Sequence, residues 1–148
     1  MSDRPDDLVA FVDGKYRTLT PRISRGIAGV SLGGDAALRA AIKQPSVFSS
    51  LYLLSASLVD ATVALTDADA VNLHRYYNIA ITVGTGDAAL PMNRRLHDVM
   101  NRLRIAHYYE EFDGAYAARV GERIETRILP FFSRNLLAPA NPTSPAVQ

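Results

Sequence analysis

One stretch, from Arg25 to Gly34, restricts the possible folds of this chain more than any other. Its apolar residues Ile27 to Val30 predict a short strand, and the alanine-rich residues from Asp35 to Ile42 predict a helix. Ser31 stands between them in a Gly-x-Ser-x-Gly pattern, which is typical of a sharp strand-to-helix turn with an exposed serine at its tip. The stretch therefore predicts a nucleophile elbow centred on Ser31.

Steric reasons explain why three glycines occur in such a turn. Gly29 and Gly33 flank the serine, where we expect any Cβ to crowd the turn. We expect Gly34 to let the helix and the strand approach closely.

The composition indicates one folded domain. The chain has 148 residues, and 48% of them are hydrophobic, which is enough for a packed core. Its 16 basic and 15 acidic residues are mixed along the sequence and leave a net charge of +1. We therefore expect neither a nucleic acid nor an anionic membrane as a partner. Cysteine is absent, which excludes disulfide bonds and thiolate metal sites.

The sequence also favours a soluble, cytoplasmic protein. Residues 1–7 are mainly polar and acidic, unlike a signal peptide. No apolar run approaches the roughly 18 residues that a membrane span needs.

Strand and helix patterns alternate along the rest of the chain. We expect a first helix capped by Asp3, a second that ends before Pro45, a third opened by Pro91, and a last one that kinks or stops at Pro130. Further strands are predicted at Leu51–Leu54, Asn78–Val83 and His107–Phe112.

This alternation predicts an α/β fold with about four mostly parallel strands flanked by helices. Sites in such sheets lie at the carboxyl ends of the strands. Ser31, Asp87 and the loop from Asp113 to Tyr116 each follow a predicted strand, so we expect them to converge. The domain is predicted to span residues 1–137, with a proline-rich, disordered tail at residues 138–148.

Several segments, taken in order, resemble one family. They are Tyr16–Thr18, Arg25–Gly34, Pro45–Phe48, the strand ending at Ser55, Gly84–Asp87, Asn93–Leu96 and Phe112–Ala115. In this order they resemble the putative-esterase branch of the α/β-hydrolase superfamily, which includes esterase D-like, feruloyl-esterase and mycolyltransferase relatives. The resemblance runs from roughly Leu8 to Phe132 and covers only the C-terminal half of the usual domain. It therefore implies a truncated α/β-hydrolase fold.

The resemblance also implies roles for individual residues. Ser31 falls on the nucleophile, Asp87 on the triad acid, and the amide of Leu32 on one oxyanion-hole donor. Family members carry the catalytic histidine after the last strand, and Tyr116 occupies that position here. A serine hydroxyl needs a base to remove its proton, and a phenol keeps its own proton at neutral pH.

Other histidines could replace the missing base. His74, His107 or a histidine of a partner subunit are the alternatives, of which His74 and the partner's histidine are favoured. We expect His97 to be solvated.

The absent first half of the fold has a structural consequence. It would leave the elbow strand as an exposed, apolar edge, and such edges invite pairing with another chain. The first helix could cover part of this edge. Otherwise, we expect a homo-oligomer that covers it.

Two further groups of residues are interpreted as structural. Asp67 and Asp69 lack the other ligands of a calcium loop and are predicted to be turn and cap residues. The pairs Tyr76–Tyr77 and Tyr108–Tyr109 favour core and edge packing, with a substrate pocket as the alternative. No metal and no cofactor is expected.

Two functions remain open at this point. The first is a carboxylic ester hydrolase that acts on a small ester by acyl transfer through Ser31, with weak activity because of Tyr116. The second is an inactive hydrolase remnant that serves as a binding or assembly module.

Overall fold

Four parallel strands form one sheet at the centre of the molecule. The computed structural model describes residues 5–137. The sheet order is β1–β2–β3–β4, with β1 at Gly26–Val30, β2 at Ser50–Leu54, β3 at Asn78–Gly84 and β4 at Tyr108–Phe112. All four predicted strands and the α/β class are confirmed. The predicted cap at Asp3 and the predicted tail at 138–148 lie outside the described residues.

Helices connect the strands and cover both faces of the sheet. They are α1 (Pro5–Lys15), α2 (Leu32–Lys43), α3 (Asp60–Val63), α4 (Asp67–Leu73), α5 (Leu90–Arg102), α6 (Val120–Arg123) and α7 (Leu129–Asn135), with short 3₁₀ turns at Arg22–Ser24 and Tyr116–Ala118. Each parallel pair of strands needs a crossover, which α2, the α3–α4 pair and α5 supply in turn. No helix among residues 5–137 is long and apolar enough to cross a membrane.

Burial follows the position of each strand in the sheet. Every residue of β2 is buried, because helices cover both of its faces and strands pair with both of its edges. Leu51 and Leu53 pack under α2, α4 and α5, whereas Tyr52 and Leu54 pack against the last helices. β1 has only one strand neighbour, and Ala28 in its middle is exposed. The elbow strand is therefore an edge strand, as expected.

The last helix continues through Pro130 and does not stop there. A proline removes one helical hydrogen bond and its ring crowds the carbonyl four residues earlier. Here the backbone widens into a π turn at Ile124–Ile128, and α7 then begins with the proline in its first turn. The wide turn accommodates the proline, so the helix reaches Asn135.

The segment between β2 and β3 forms two short helices, α3 and α4. At the start of α4, the Thr66 hydroxyl accepts the Asp69 amide hydrogen, and the Asp69 carboxylate accepts the Thr66 amide hydrogen. This capping box confirms Asp69 as a cap residue. No cluster of metal-binding side chains is found among the described residues.

The paired tyrosines divide between the core and the surface. Tyr76 is buried and donates its hydroxyl to the Ala41 carbonyl at 3.1 Å, and burial raises its pKa to about 12. Tyr77 and Tyr108 remain 65% and 56% exposed. Core packing therefore explains Tyr76 but leaves Tyr77 and Tyr108 without a partner in the core.

A chain of hydrogen bonds joins α5 to the start of β4. The Ile105 carbonyl can only accept, so His107 donates from Nδ1 at 2.7 Å. The other ring nitrogen of His107 then accepts from Nδ1 of His97 at 2.8 Å, and Nε2 of His97 accepts from Asn101 at 3.1 Å. The His97 ring also stacks on Tyr109, with centroids 4.1 Å apart. The prediction that His97 is simply solvated was wrong.

This chain requires the imidazole of His107 to be neutral, because its Nε2 accepts a hydrogen bond, and this makes the stability depend on pH. Burial lowers the pKa of His107, and the neighbouring His97 lowers it further against the opposing effect of the Ile105 carbonyl. The unfolded chain therefore binds a proton near pH 6.5 that the folded chain binds only at lower pH. The free energy of unfolding should fall as the pH decreases from about 7.5 to about 5.5.

Urea unfolding at both pH values measures this effect. His107→Gln should weaken the pH dependence, whereas the exposed His74 provides the control variant His74→Gln. The nearby Glu111 does not titrate in this interval, because Arg94 lowers its pKa to about 2. Equal pH dependence in the wild type and His107→Gln would contradict the assignment.

Candidate active site

Ser31 occupies a strained turn between β1 and α2. Its backbone has φ 53° and ψ −122°, a conformation that non-glycine residues rarely adopt. The Ser31 amide donates to the Leu54 carbonyl at 3.1 Å, and its carbonyl accepts from the amides of Gly34 and Ser57 at 2.9 and 2.8 Å. Three main-chain hydrogen bonds therefore hold the turn that the Gly-x-Ser-x-Gly pattern predicts.

The glycines around this turn differ in whether the space around them requires a residue without a Cβ. A Cβ on Gly29 would overlap the Gly33 carbonyl, and one on Gly34 would overlap Ala56 in the loop after β2. A Cβ on Gly33 would meet no atom within 4 Å among the described residues. The expectation of crowding is thus correct for Gly29 and Gly34 and wrong for Gly33, whose Cα faces open space.

The amide of Leu32 lies at the start of α2, which begins there rather than at Asp35. The first amides of a helix have no partner within the helix, and the helix dipole makes this end favourable for negative charge. The Leu32 side chain is 77% exposed, so it leaves the surface beside Ser31 open. Leu32 can therefore offer one N–H group to an oxyanion.

Asp87 follows β3 and is held by groups from three segments. Its Oδ2 accepts from the Ser55 hydroxyl at 2.5 Å and the Gly84 amide at 2.9 Å. Its Oδ1 accepts from the Tyr116 amide at 3.0 Å. Sequence reasoning missed Ser55, which has a positive φ of 44° after β2. Only the folded sheet shows that Ser55 and Asp87 meet.

Tyr116 lies beside Asp87 through its main chain. The Tyr116 amide donates to the Asp87 carboxylate, so this residue lies next to Asp87. The family resemblance implies a histidine at this position. Its ring is half-buried and packs against the cluster formed by Tyr52, Phe112 and Ile128. The tyrosine thus contributes packing on this side of the sheet.

The hydroxyl of Ser57 contacts the Ser31 side chain. The two Oγ atoms are 3.1 Å apart, within hydrogen-bonding distance. The loop that carries Ser57 is tied down by Asn93, which is fully buried and donates from Nδ2 to the Ala56 carbonyl at 2.8 Å. Sequence reasoning missed the contacts of both residues: Ser57 lies in no motif, and the segment Asn93–Leu96 carried the family resemblance without indicating a partner for Asn93.

All three histidines lie toward the other end of the sheet. His107 directly precedes β4, His74 caps α4 before β3, and His97 is hydrogen-bonded to His107. Ser31 and Asp87, in contrast, follow the carboxyl ends of β1 and β3. Neither His74 nor His107 of the same chain is therefore placed to serve as the base for Ser31.

The separation of Ser31 and Asp87 explains why a third group is required. β2 lies between β1 and β3, so the two residues follow strands about 10 Å apart. No hydrogen bond joins the Asp87 carboxylate to the Ser31 hydroxyl within residues 5–137, and the role of a carboxylate in such sites is to orient an imidazole. The site brings together a serine, an anchored carboxylate and the first amide of a helix, and no histidine among residues 5–137 lies beside them.

Comparison with known proteins agrees with this geometry. The family model described as "Putative esterase" matches residues 5–119. No curated protein matches the sequence. The fold is similar to a ferulic acid esterase, with a TM-score of 0.79 and 19% identity over 90% of this chain and 59% of that chain.

Two further structures share the fold at low identity. The S-formylglutathione hydrolase FrmB from Staphylococcus aureus has a TM-score of 0.66 and 19% identity over 85% of this chain and 57% of its own. The enterobactin esterase FES from Shigella flexneri has a TM-score of 0.68 and 17% identity over 88% of this chain and 36% of its own. The chain thus spans less than two thirds of each of these proteins. By its match over residues 5–119, this chain belongs to the putative esterase family of α/β-hydrolases.

Proposed function

We propose that the chain is a serine-hydrolase-like carboxylic ester hydrolase that acts by acyl transfer through Ser31. The observation that carries this proposal is the strained elbow, which holds Ser31 at φ 53° beside the amide of Leu32. Strain of this kind costs free energy and persists where the surrounding structure imposes it. Family membership and the hydrolase folds of the similar structures support the same reaction class.

In the proposed reaction, Oγ of Ser31 attacks the carbonyl carbon of a small ester. The carbonyl oxygen becomes an oxyanion and accepts the Leu32 N–H, and the alcohol leaves when the tetrahedral intermediate collapses. Water then hydrolyses the acyl-serine by the same route. With the groups of a single chain, solvent accepts the serine proton and donates one to the departing alkoxide, because Asp87 is anchored after β3 and Tyr116 offers no base. The activity is therefore expected to be weak.

A covalent label tests the role of Ser31 without requiring turnover. A fluorophosphonate should add to Ser31 slowly in the wild type and not at all in Ser31→Ala, as measured by intact-protein mass. Ser133→Ala is the matched control, because Ser133 is exposed on α7 and remote from the elbow. Hydrolysis of 4-nitrophenyl acetate should follow the same order. Equal labelling or equal hydrolysis in the wild type and Ser31→Ala would exclude Ser31 chemistry.

A second variant tests the position of Tyr116. Tyr116→His introduces an imidazole next to Asp87 and should raise kcat/KM by about 10²-fold, the lower range for a general base. The gain should appear as the pH rises through about 6.5, where an imidazole loses its proton. The double variant Ser31→Ala with Tyr116→His should lose the gain. A folded single variant with unchanged activity would show that Tyr116 does not lie at the triad corner.

The open edge of β1 favours a second candidate function, that of an assembly module. Ser31 donates to Leu54 and Arg25 accepts from Ser49, so alternate residues of β1 face β2. Gly26, Ala28 and Val30 therefore direct their N–H and C=O groups away from β2, toward an edge that no described strand covers. A second copy of the chain is proposed to pair there, which would make a homo-oligomer.

Light scattering of two substitutions at one position tests this pairing. The wild type should have at least twice the monomer mass of 16.1 kDa. Ala28→Pro removes an outward N–H without breaking a bond to β2 and should yield a monomer, whereas Ala28→Ser retains the N–H and should not. A monomeric wild-type protein would contradict the proposed assembly and leave the esterase proposal intact.

A further inference from the structure

A cavity lies at the end of the sheet opposite to Ser31. It has a volume of about 500 Å³ and is enclosed by the amino ends of β3 and β4 and by the last helices. Tyr77 and Tyr108 belong to the strand side, and Arg127, Phe131 and Arg134 belong to the helix side. This volume falls within the usual range for small-molecule sites. None of the groups assigned to ester hydrolysis lines it.

The lining carries positive charge that no lining acid balances. Arg127 and Arg134 both line the cavity, and neither aspartate nor glutamate is among the lining residues. Glu110, the acid that Arg127 approaches, accepts two hydrogen bonds from the buried Arg123 at 2.9 and 3.1 Å. Arg127 is 4.0 Å from the same carboxylate, so one negative charge faces two guanidinium groups. Arg134 forms no ion pair within residues 5–137, which adds to the positive excess.

The other walls are aromatic. Phe131 packs edge-on against Tyr52 with ring centroids 5.2 Å apart, and this pair forms the floor. Tyr77 and Tyr108 keep more than half of their surface exposed at the same cavity. Aromatic rings prefer offset or edge-to-face contacts with other rings, so this lining suits a planar aromatic group. The sequence patterns had left these tyrosines open to such a role.

The helix places charge on both sides of the aromatic floor. Phe131 lies four residues after Arg127 and three before Arg134, so the three side chains share one face of the helix. A ring resting on Phe131 therefore brings an attached carboxylate within reach of a guanidinium at either side. A guanidinium also matches the planar, two-oxygen geometry of a carboxylate.

We propose that this cavity binds a small aromatic carboxylate, with its ring among Phe131, Tyr77 and Tyr108 and its carboxylate on Arg127 or Arg134. The site is separate from the elbow and does not depend on the proposed esterase activity. A neutral aromatic molecule would lack the ion pair, and an aliphatic carboxylate would lack the ring contacts.

Titration of the full chain with 4-hydroxybenzoate, followed by amide NMR shifts, tests the proposal. 4-Hydroxybenzoate contains no ester bond, and the protein carries Ser31→Ala, so the outcome is independent of Ser31 chemistry. We expect saturable shifts at Tyr108 and in α7 with a Kd of about 1 mM, as befits a ligand of this size. 4-Hydroxybenzamide and cyclohexanecarboxylate should each bind at least about tenfold more weakly.

Variants of the two arginines identify the site. Arg127→Gln and Arg134→Gln should each raise the Kd at least about threefold, and the double variant should abolish saturation. Both residues are exposed, so the fold should survive, which the unperturbed remainder of the spectrum will show. Arg102→Gln, an exposed arginine at the end of α5, is the matched control and should leave the Kd unchanged.

Three results would overturn the proposal. One is equal binding of the acid and its amide, and another is a Kd that is the same in the double variant and the wild type. The third is a change of mass in light scattering. If the Arg127→Gln and Arg134→Gln double variant is a monomer while the Arg102→Gln control remains an oligomer, a second copy of the chain occupies this surface.

Discussion

The carboxylate of Asp87 is the interaction on which the arrangement of the site depends. It accepts hydrogen bonds from Ser55 after β2, Gly84 at the end of β3 and the main chain of Tyr116 after β4. Charge-assisted hydrogen bonds of this kind are stronger than neutral ones. One side chain thus ties together the carboxyl ends of three neighbouring strands.

The elbow depends on a second constraint, which is steric. Gly29 and Gly34 carry no Cβ, and this lets the start of α2 approach β1 and the loop at Ala56. The same approach allows Ser57 to bond the carbonyl of Ser31. The strained serine is therefore maintained by packing around it, independently of whether a base is present.

The two ends of the sheet differ in chemistry. The carboxyl end holds a serine, an anchored acid and the open helix terminus at Leu32. The amino end holds the His97–His107 hydrogen-bond chain and the cavity with Arg127 and Arg134. Because parallel strands place all their carboxyl ends together, this separation follows from the topology alone. His74 and His107 lie at the amino end because each precedes a strand, β3 and β4 respectively, and His97 is hydrogen-bonded to His107.

The amino-acid sequence by itself determined the strands, the parallel α/β class and the positions of Ser31 and Asp87. Local patterns are sufficient there, because apolar runs, a glycine-flanked serine and a turn after a strand each carry their own signal.

Only the tertiary structure decided which polar groups meet. Ser57 lies in no motif, and the segments that contain Ser55 and Asn93 do not indicate their partners. All three residues acquire their contacts through strand pairing and helix packing. The same holds for the path of the last helix through Pro130, where a wide turn upstream absorbs a conflict that the local sequence predicts as a break. Contacts between residues distant in the chain depend on how the elements pack, and no local pattern encodes that packing.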